Sequence, residues 1–437
     1  MKLLSHLFFL TSQTFAFIYR HHRCPECPIC PDNSPETNEI PQCPTNPAED
    51  LVQAQIQTHT VSNSASFILN GHNCNPSYEV SCDDTECVMS NHQLNCQIIE
   101  DNGSFCTNAN NNGVPLSVGF FNAHIMGDSK SNKEGVMNTF VKIFDNFDIV
   151  GMSEIRDSNQ SGPEKFFDDY LNVNNEWARI YSARDGTYQS GSGNEASTEQ
   201  TVYFYRTAKV ELVKSADFDD YYDVFYARGP QVAHFRRLDN GGLLSDFTLA
   251  QMHLSYNSAA VQEVEALAQI RTVITEGGQL SGVDGNGVTR NIGPNIDAND
   301  PTQLYPSAIM FGGDMNADDP IITDPASLAL QIDPSYKWMI GNDADTNVAS
   351  STEKAFDRVI VHGADMVDAV CDQNKSTVSE SVGSHDHGVM RFEDYFNQVK
   401  NEFLANNPSA TESEIKAAGL EEVSDVSDHW VVFAKIY

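Results

Sequence analysis

The sequence predicts an α+β protein, packed β-sheets with helices outside, preceded by a small cysteine-rich extension. Three observations carry that prediction. The stretch FDIVGMSEIRDS, Phe147 to Ser158, is a short apolar run that breaks straight into a charged cluster, as a strand buried on both faces does. From Leu116 onward, runs of this kind alternate with segments of helical spacing. Nine of the ten cysteines lie between Cys24 and Cys106, ahead of that region.

Taken in order, residues 1–16 (MKLLSHLFFLTSQTFA) have the form of a secretory signal. Lys2 gives the positive end, Leu3 to Leu10 the apolar run, and Thr14 to Ala16 the residues flanking a cut. The run is too short to span a bilayer, and no later stretch is longer and apolar enough. His6 interrupts it, which leaves an uncleaved anchor as the less favoured reading. A secreted, extracellular chain with no stable membrane association is expected.

Residues 17–112 form the second part. CPECPICP (Cys24, Cys27, Cys30) and then Cys43 sit among prolines, so a disulfide-tied or extended linker is favoured over a zinc site in an oxidising compartment. Cys74, Cys82, Cys87, Cys96 and Cys106 fall between short β-like runs such as SFIL and QII. That is a disulfide-supported module with too few apolar residues to fold on packing alone. The odd count means either that Cys371 pairs back to this part or that two thiols stay free. Connectivity is open. Asn108 to Gly113 reads as a linker.

Residues 113–437 are the third part. Strands are expected at 116–121 (LSVGFF), 200–206, 231–235, 246–253 (DFTLAQMH), 307–313 (SAIMFGG), 356–361 and 429–436, besides the Ile149 strand. Val136, Phe140, Ile143 and Phe144 mark a helix over 133–145, and Val261, Val264, Leu267 and Ile270 another after a Ser258 cap. The polar stretches 277–306 and 372–422 read as surface insertions, the second with an amphipathic helix near Phe392 to Phe403.

Charge sets limits on partners. With 26 basic and 61 acidic residues, the net charge is −35. Such a surface does not cling to nucleic acid or anionic membrane non-specifically. An enzyme acting on polyanions is still compatible with it where salt screens and bound cations reverse the local sign.

The chemistry-bearing residues lie at strand ends. Asn122 follows LSVGFF, Glu154 and Arg156 follow the Ile149 strand, and His253 ends DFTLAQMH. Asp314 and Asn316 lie in FGGDMNADD, and Asp428 and His429 in VSDHW. Glu154, Asp314 and Asp428 with the amide of Asn122 offer hard oxygens suited to Mg²⁺ or Mn²⁺. Two histidines among so many carboxylates fit general acid/base work better than zinc. A single histidine of this kind is more often structural, but the gathering at strand ends favours a site.

VGFFNAHIMGDSK, DIVGMSEIRDS, EQTVYFYR, ARGPQVAHF, MHLSYNSAAVQEVEAL, MFGGDMNAD, AFDRVIVHG and SDHWVV occur in one order across 116–437. In these segments the chain resembles the deoxyribonuclease I family of the endonuclease/exonuclease/phosphatase superfamily. The resemblance implies a four-layer sandwich, two mixed β-sheets flanked by helices. It also implies a divalent-metal-dependent endonuclease cutting DNA phosphodiesters, with no particular protein partner indicated. By resemblance, Glu154, Asn122, Asp314 and Asp428 form the metal site. His253 is oriented by Glu199 and His429 by Asp357, Asn316 holds the scissile phosphate, and Arg156 and Arg228 contact DNA. The sequence leaves open which histidine is base and which acid, with His429 favoured as base.

The family's two disulfides have no counterpart: Asp319 and Lys354 stand where one would fall, and Asp219 to Ala227 has no cysteine. That loop, with Asp219, Asp220 and Asp223, resembles a calcium-binding segment, and Asp345-Thr346 opens a second, so Ca²⁺ is an expected stabiliser. Two other readings are open to the same residues. One is a phosphodiesterase for another substrate, sphingomyelin or a small phosphoester; the other is a non-catalytic extracellular binding protein. The guanidiniums favour DNA, and two intact His–carboxylate pairs speak against a dead scaffold.

Overall fold

Each strand expected from Leu116 onward is present in the computed structural model. The structure describes residues 114–184, 198–220, 224–239, 242–255, 258–316, 329–342, 344–348, 354–370, 375–379 and 386–437, and the backbone of 67–69, 72–82 and 87–98. The chain divides into two units, Met1–Asn102 and Gly103–Tyr437. In the first, β1 (Phe67–Leu69), β2 (His72–Cys82) and β3 (Cys87–Ile98) pair antiparallel in that order. Their register sets Cys74 opposite Cys96 and Cys82 opposite Cys87. The expected signal segment, the CPECPICP stretch, Cys43, Cys106 and Cys371 lie outside the described residues.

The second unit holds two mixed sheets. The larger runs β16 (Lys375–Ser379), β17 (His387–Met390), β18 (Val431–Ile436), β4 (Leu116–Met126), β5 (Ile149–Ile155), β7 (Gln200–Arg206), β6 (Trp177–Tyr181). The smaller runs β14 (Tyr336–Trp338), β15 (Asp357–His362), β13 (Ile309–Asp314), β10 (Asp246–His253), β9 (Gln231–Arg237), β8 (Val210–Asp217). Each has a parallel pair at its centre, β4 with β5 and β10 with β13, which is why those strands read as continuous apolar runs.

Helices cover the outer faces. α1 (Glu134–Phe144) lays Phe140 and Phe144 against Phe121, Phe166 and Phe204 of the larger sheet's layer. Each such fully buried ring contributes about 1.5–3 kcal/mol over an exposed one. α2 (Ser258–Glu276) buries Val264, Leu267, Ile270 and Ile274 with Met252, Phe311 and Ile360 of the smaller sheet. α3 (Glu393–Asn406) adds Phe396 and Val399 to the first cluster. The layers are helices, sheet, sheet, helix. Two glycines let the sheets approach: a Cβ on Gly312 of β13 would fall 2.2 Å from the Phe120 ring on β4, and one on Gly151 of β5 would fall 2.6 Å from Gln251 on β10.

Both polar stretches taken for surface insertions carry structure. Residues 278–296 form an antiparallel ribbon, β11 (Gly278–Val283) and β12 (Thr289–Ile296), with Leu280, Ile292 and Ile296 buried beside α2. Within 372–422, β16 and β17 extend the larger sheet. Their runs are too short and too polar in their surroundings for period to reveal them. β17 is held by pairing with β18, a partner the local sequence cannot announce.

Candidate active site

Antiparallel and parallel pairing together bring seven strand ends to one edge. β4, β5, β10 and β13 arrive there by their C-terminal ends, and β7, β15 and β18 start from it. Glu154, Asn122, His253 and Asp314 come from the first group. Glu199 precedes β7, Asp357 opens β15, and Asp428 and His429 precede β18.

Two His–carboxylate pairs result, and each joins the two sheets. His253 of the smaller sheet donates from Nδ1 to Glu199 Oε1 of the larger one. His429 at the larger sheet donates from Nδ1 to Asp357 Oδ2 of the smaller one at 2.7 Å. With Nδ1 committed in both, the free Nε2 atoms turn inward, and each lies 3.5 Å from the same oxygen, Asp314 Oδ2. All four members are buried.

Burial pulls both imidazoles down, but their neighbours win. Glu199 raises His253 above its ordinary value although Arg228 opposes it. Asp357 and then Asp314 raise His429 to about 10. Burial likewise pushes Asp357 up, with His429 opposing, so this pair holds its proton firmly. Glu199 ends below its usual range, because His253 and Arg228 outweigh burial.

Glu154 Oε1 and Asp314 Oδ2 converge: both accept from Asn122 Nδ2, at 3.2 and 3.0 Å. The Asn122 oxygen is turned away and accepts from the His124 N–H at 2.9 Å. Glu154 Oε2 accepts from the Ile125 N–H at 2.9 Å. Asp428 pairs with His124 Nδ1 at 2.8 Å and lies 3.9 Å from His429 Nε2. Asn316 is held over the site by its own amide, which donates to the Leu254 carbonyl at 2.9 Å. Four ordinary side chains here adopt left-handed backbone: His124, Ile125, Glu154 and Asn316, at φ of 46°, 59°, 60° and 47°. Such conformations cost about 1–3 kcal/mol each and persist only where surroundings impose them.

The two expected DNA-contacting arginines are tied to the same carboxylates. Arg156 reaches Glu154 Oε2 at 3.3 Å and Glu199 Oε2 at 3.7 Å. Arg228 Nε lies 3.1 Å from Glu199 Oε1 and also donates to the His253 carbonyl at 3.0 Å. Both side chains are partly exposed.

These donors fit a hard divalent cation. The carboxylates Glu154, Glu199, Asp314, Asp357 and Asp428 outnumber the two arginines, and two of them aim oxygens at one point. Asp314, Asp357 and His429 also form a buried group whose ligand atoms lie within 4.8 Å of one another, close enough to hold a metal.

The acidic loops expected to bind calcium look different. Asp220 is buried, and its oxygens accept from the N–H groups of Val224, Phe225 and Tyr226 at 3.1, 2.6 and 2.9 Å. Asp219 is exposed, and Asp223 lies outside the described residues. Asp345 accepts from the N–H groups of Asn347 and Lys354 and faces Arg391 at 3.4 Å. Among the described residues neither loop gathers three ligand groups.

Three residues support the site in roles the sequence does not reveal. Thr346 Oγ1 accepts from the N–H groups of Phe356 and Asp357 and so fixes the start of β15. Ser427 donates to the Asn122 carbonyl at 2.6 Å and accepts from the His429 N–H at 3.0 Å. Lys130 is buried and donates to the carbonyls of Ala123, in β4, and Val426, in the loop before β18. Burial brings its ammonium down to about 7, with Asp428 opposing. Their only sequence signal is proximity to a site residue, and for Thr346 and Lys130 that proximity is not local.

A sandwich of two mixed sheets with helices outside, carrying such groups at one sheet edge, agrees with the architecture that the sequence resemblance implies. No protein-family model matches the chain. Human deoxyribonuclease gamma is 24% identical over 287 residues, spanning 62% of this chain and 83% of the relative. Deoxyribonuclease-1-like 1 of Cricetulus griseus is 28% identical over 247 residues, 56% of this chain and 69% of its own. Bovine (Bos taurus) deoxyribonuclease-1 is 25% identical over 258 residues, 58% and 79%. In sequence the chain is similar to these deoxyribonucleases of the deoxyribonuclease I group.

Proposed function

We propose that the chain is a secreted, divalent-cation-dependent endonuclease that hydrolyses phosphodiester bonds of DNA. One observation carries the chemistry: two imidazoles, each fixed by its own carboxylate, present Nε2 3.5 Å from one shared oxygen, so an acid and a base flank a single point. Displacement at phosphorus needs both, one to take a proton from water and one to give a proton to the leaving oxygen. The relatives named deoxyribonucleases support DNA as the substrate.

Glu154 and Asp314 would hold the cation, with Asn122 steadying both. When bound, it supplies positive charge for the phosphoryl oxygens and offsets the carboxylate surplus. Asn316 bears on the same phosphate, and Arg156 and Arg228 present their outer edges to the strand's neighbouring phosphates. The Asp357 and Asp314 carboxylates hold the proton on His429, so His429 serves as acid. His253, opposed by Arg228, serves as base. This is the reverse of the order the sequence favours.

Plasmid nicking in Mg²⁺ or Mn²⁺, with and without Ca²⁺, tests the proposal beside sphingomyelin and a small phosphodiester. Cleavage of DNA that excess EDTA abolishes is expected, and Glu154→Ala should lose it by orders of magnitude. Full activity in EDTA would overturn the metal requirement, and turnover of sphingomyelin alone would overturn the substrate.

A further inference from the structure

One buried cation takes no part in this scheme. Lys130 lies in a single helical turn, Asp128–Ser131, just beyond β4, and is 8% exposed. Its ammonium donates to the Ala123 carbonyl at 2.7 Å and to the Val426 carbonyl at 2.9 Å. Those carbonyls belong to the end of β4 and to the loop before β18: Ala123 follows Asn122, and Val426 precedes Asp428 and His429. An ammonium is expensive to bury, so its place there needs a compensating role for its donors.

The β4 end of this junction is bulged. Pairing with β5 slips between Asn122 and Met126, and His124 and Ile125 are both left-handed. The bulge turns the Ile125 N–H onto Glu154 Oε2 and the Asn122 amide onto Glu154 and Asp314. Ser427 ties the same two segments through the Asn122 carbonyl, and His124 ties them through Asp428. Lys130 is a third tie, and its one ammonium holds a carbonyl of each segment.

We propose that Lys130 is a positioning residue that straps the β4 bulge to the loop before β18, and so fixes the oxygens of Glu154 and Asp314 for a divalent cation. This goes beyond the hydrolase reading but rests on it for its kinetic arm; its binding arm stands alone.

The test compares Lys130→Met, Lys130→Gln and Lys130→Arg with Phe144→Leu, a core change on α1 that lowers melting temperature without touching the site. Mn²⁺ affinity is read by electron paramagnetic resonance, and kcat and KM on a small phosphodiester, all below the melting transitions. Loss of a residue that orients metal ligands should raise the Mn²⁺ Kd about 10- to 100-fold and lower kcat by a similar factor in the Met variant, with KM nearly unchanged. Arg should recover part of the loss, and Phe144→Leu should show none of it. Wild-type Kd and kcat in the Lys130 variants, or equal losses in Phe144→Leu, would overturn the strap. If the Met variant does not fold, the Gln and Arg variants decide by the same criterion. If wild-type protein cuts no phosphodiester, the hydrolase reading fails, while the Mn²⁺ titration still decides this one.

Discussion

The role of His429 can be tested by changing the leaving atom. Three carboxylates surround its imidazole: Asp357 at 2.7 Å, Asp314 at 3.5 Å and Asp428 at 3.9 Å. They raise its value well above the ordinary imidazole range, to about 10, so the imidazolium is the favoured form at pH 7. A group so placed donates readily to a departing alkoxide. His429→Gln should therefore lose roughly a hundred- to ten-thousandfold on ordinary DNA, the usual range for a general acid. A substrate with sulfur at the bridging leaving position departs as a thiolate, whose conjugate acid has a pKa of about 8.5 and needs no protonation. On that substrate His429→Gln should approach wild-type turnover, while His253→Gln stays impaired on both. Single-turnover rates on the oxygen and sulfur oligonucleotides measure this directly. Equal impairment of His429→Gln on the two would refute the acid role, and rescue of His253→Gln instead would restore the order the sequence favours.

Other consequences follow from the same geometry. Arg228→Ala frees Glu199 and the His253 carbonyl, so its kcat should fall roughly ten- to a hundredfold, the worth of a charged hydrogen bond, whereas Arg156→Ala should act mainly on KM; pure KM effects in both would show that Arg228 does no positioning. Asp220→Ala strands three backbone donors and should cost at least about 1–3 kcal/mol in denaturant titration, with no Ca²⁺ dependence. A Ca²⁺-induced rise in melting temperature present in wild type and lost in Asp220→Ala would return that loop to the calcium class. In EDTA, the stability that His429 contributes should be whole below its unfolded value of 6.5 and fade as pH rises through about 10, because its folded value is raised. The difference between wild type and His429→Gln across that range measures it, and a constant difference would remove the pair's linkage.

The residues at strand ends were legible because of where parallel strands hide. β5 and β13 are buried along their whole length and β10 at all but its first residue, so each shows as an apolar run that a polar side chain terminates abruptly, and the terminating residues are those that reach the site. The ties beneath them were not legible. Lys130 meets Val426 across 296 residues, and Asp357 meets His429 across 72; no local period encodes either. Asp220 shows how composition and geometry differ. Its acidic surroundings suggested an ion, yet the chain turns so that its own N–H groups satisfy that carboxylate. Composition states what a loop could bind, and backbone geometry decides whether any oxygen is left to do it.

The two His–carboxylate pairs make the packing of the sheets part of the chemistry. Glu199 and His429 sit on the larger sheet, and His253 and Asp357 on the smaller, so each pair spans the interface in the opposite sense. Sliding or spreading the sheets would lengthen both hydrogen bonds together and release both imidazoles from their tautomers. The spacing is set deep in the core, where Gly312 admits the Phe120 ring and Gly151 admits Gln251. A methyl group at Gly312 has no room beside an aromatic ring, and close-packed interiors transmit such a displacement rather than absorb it. Those glycines therefore act on the reaction without touching it, through the distance at which two sheets hold four side chains.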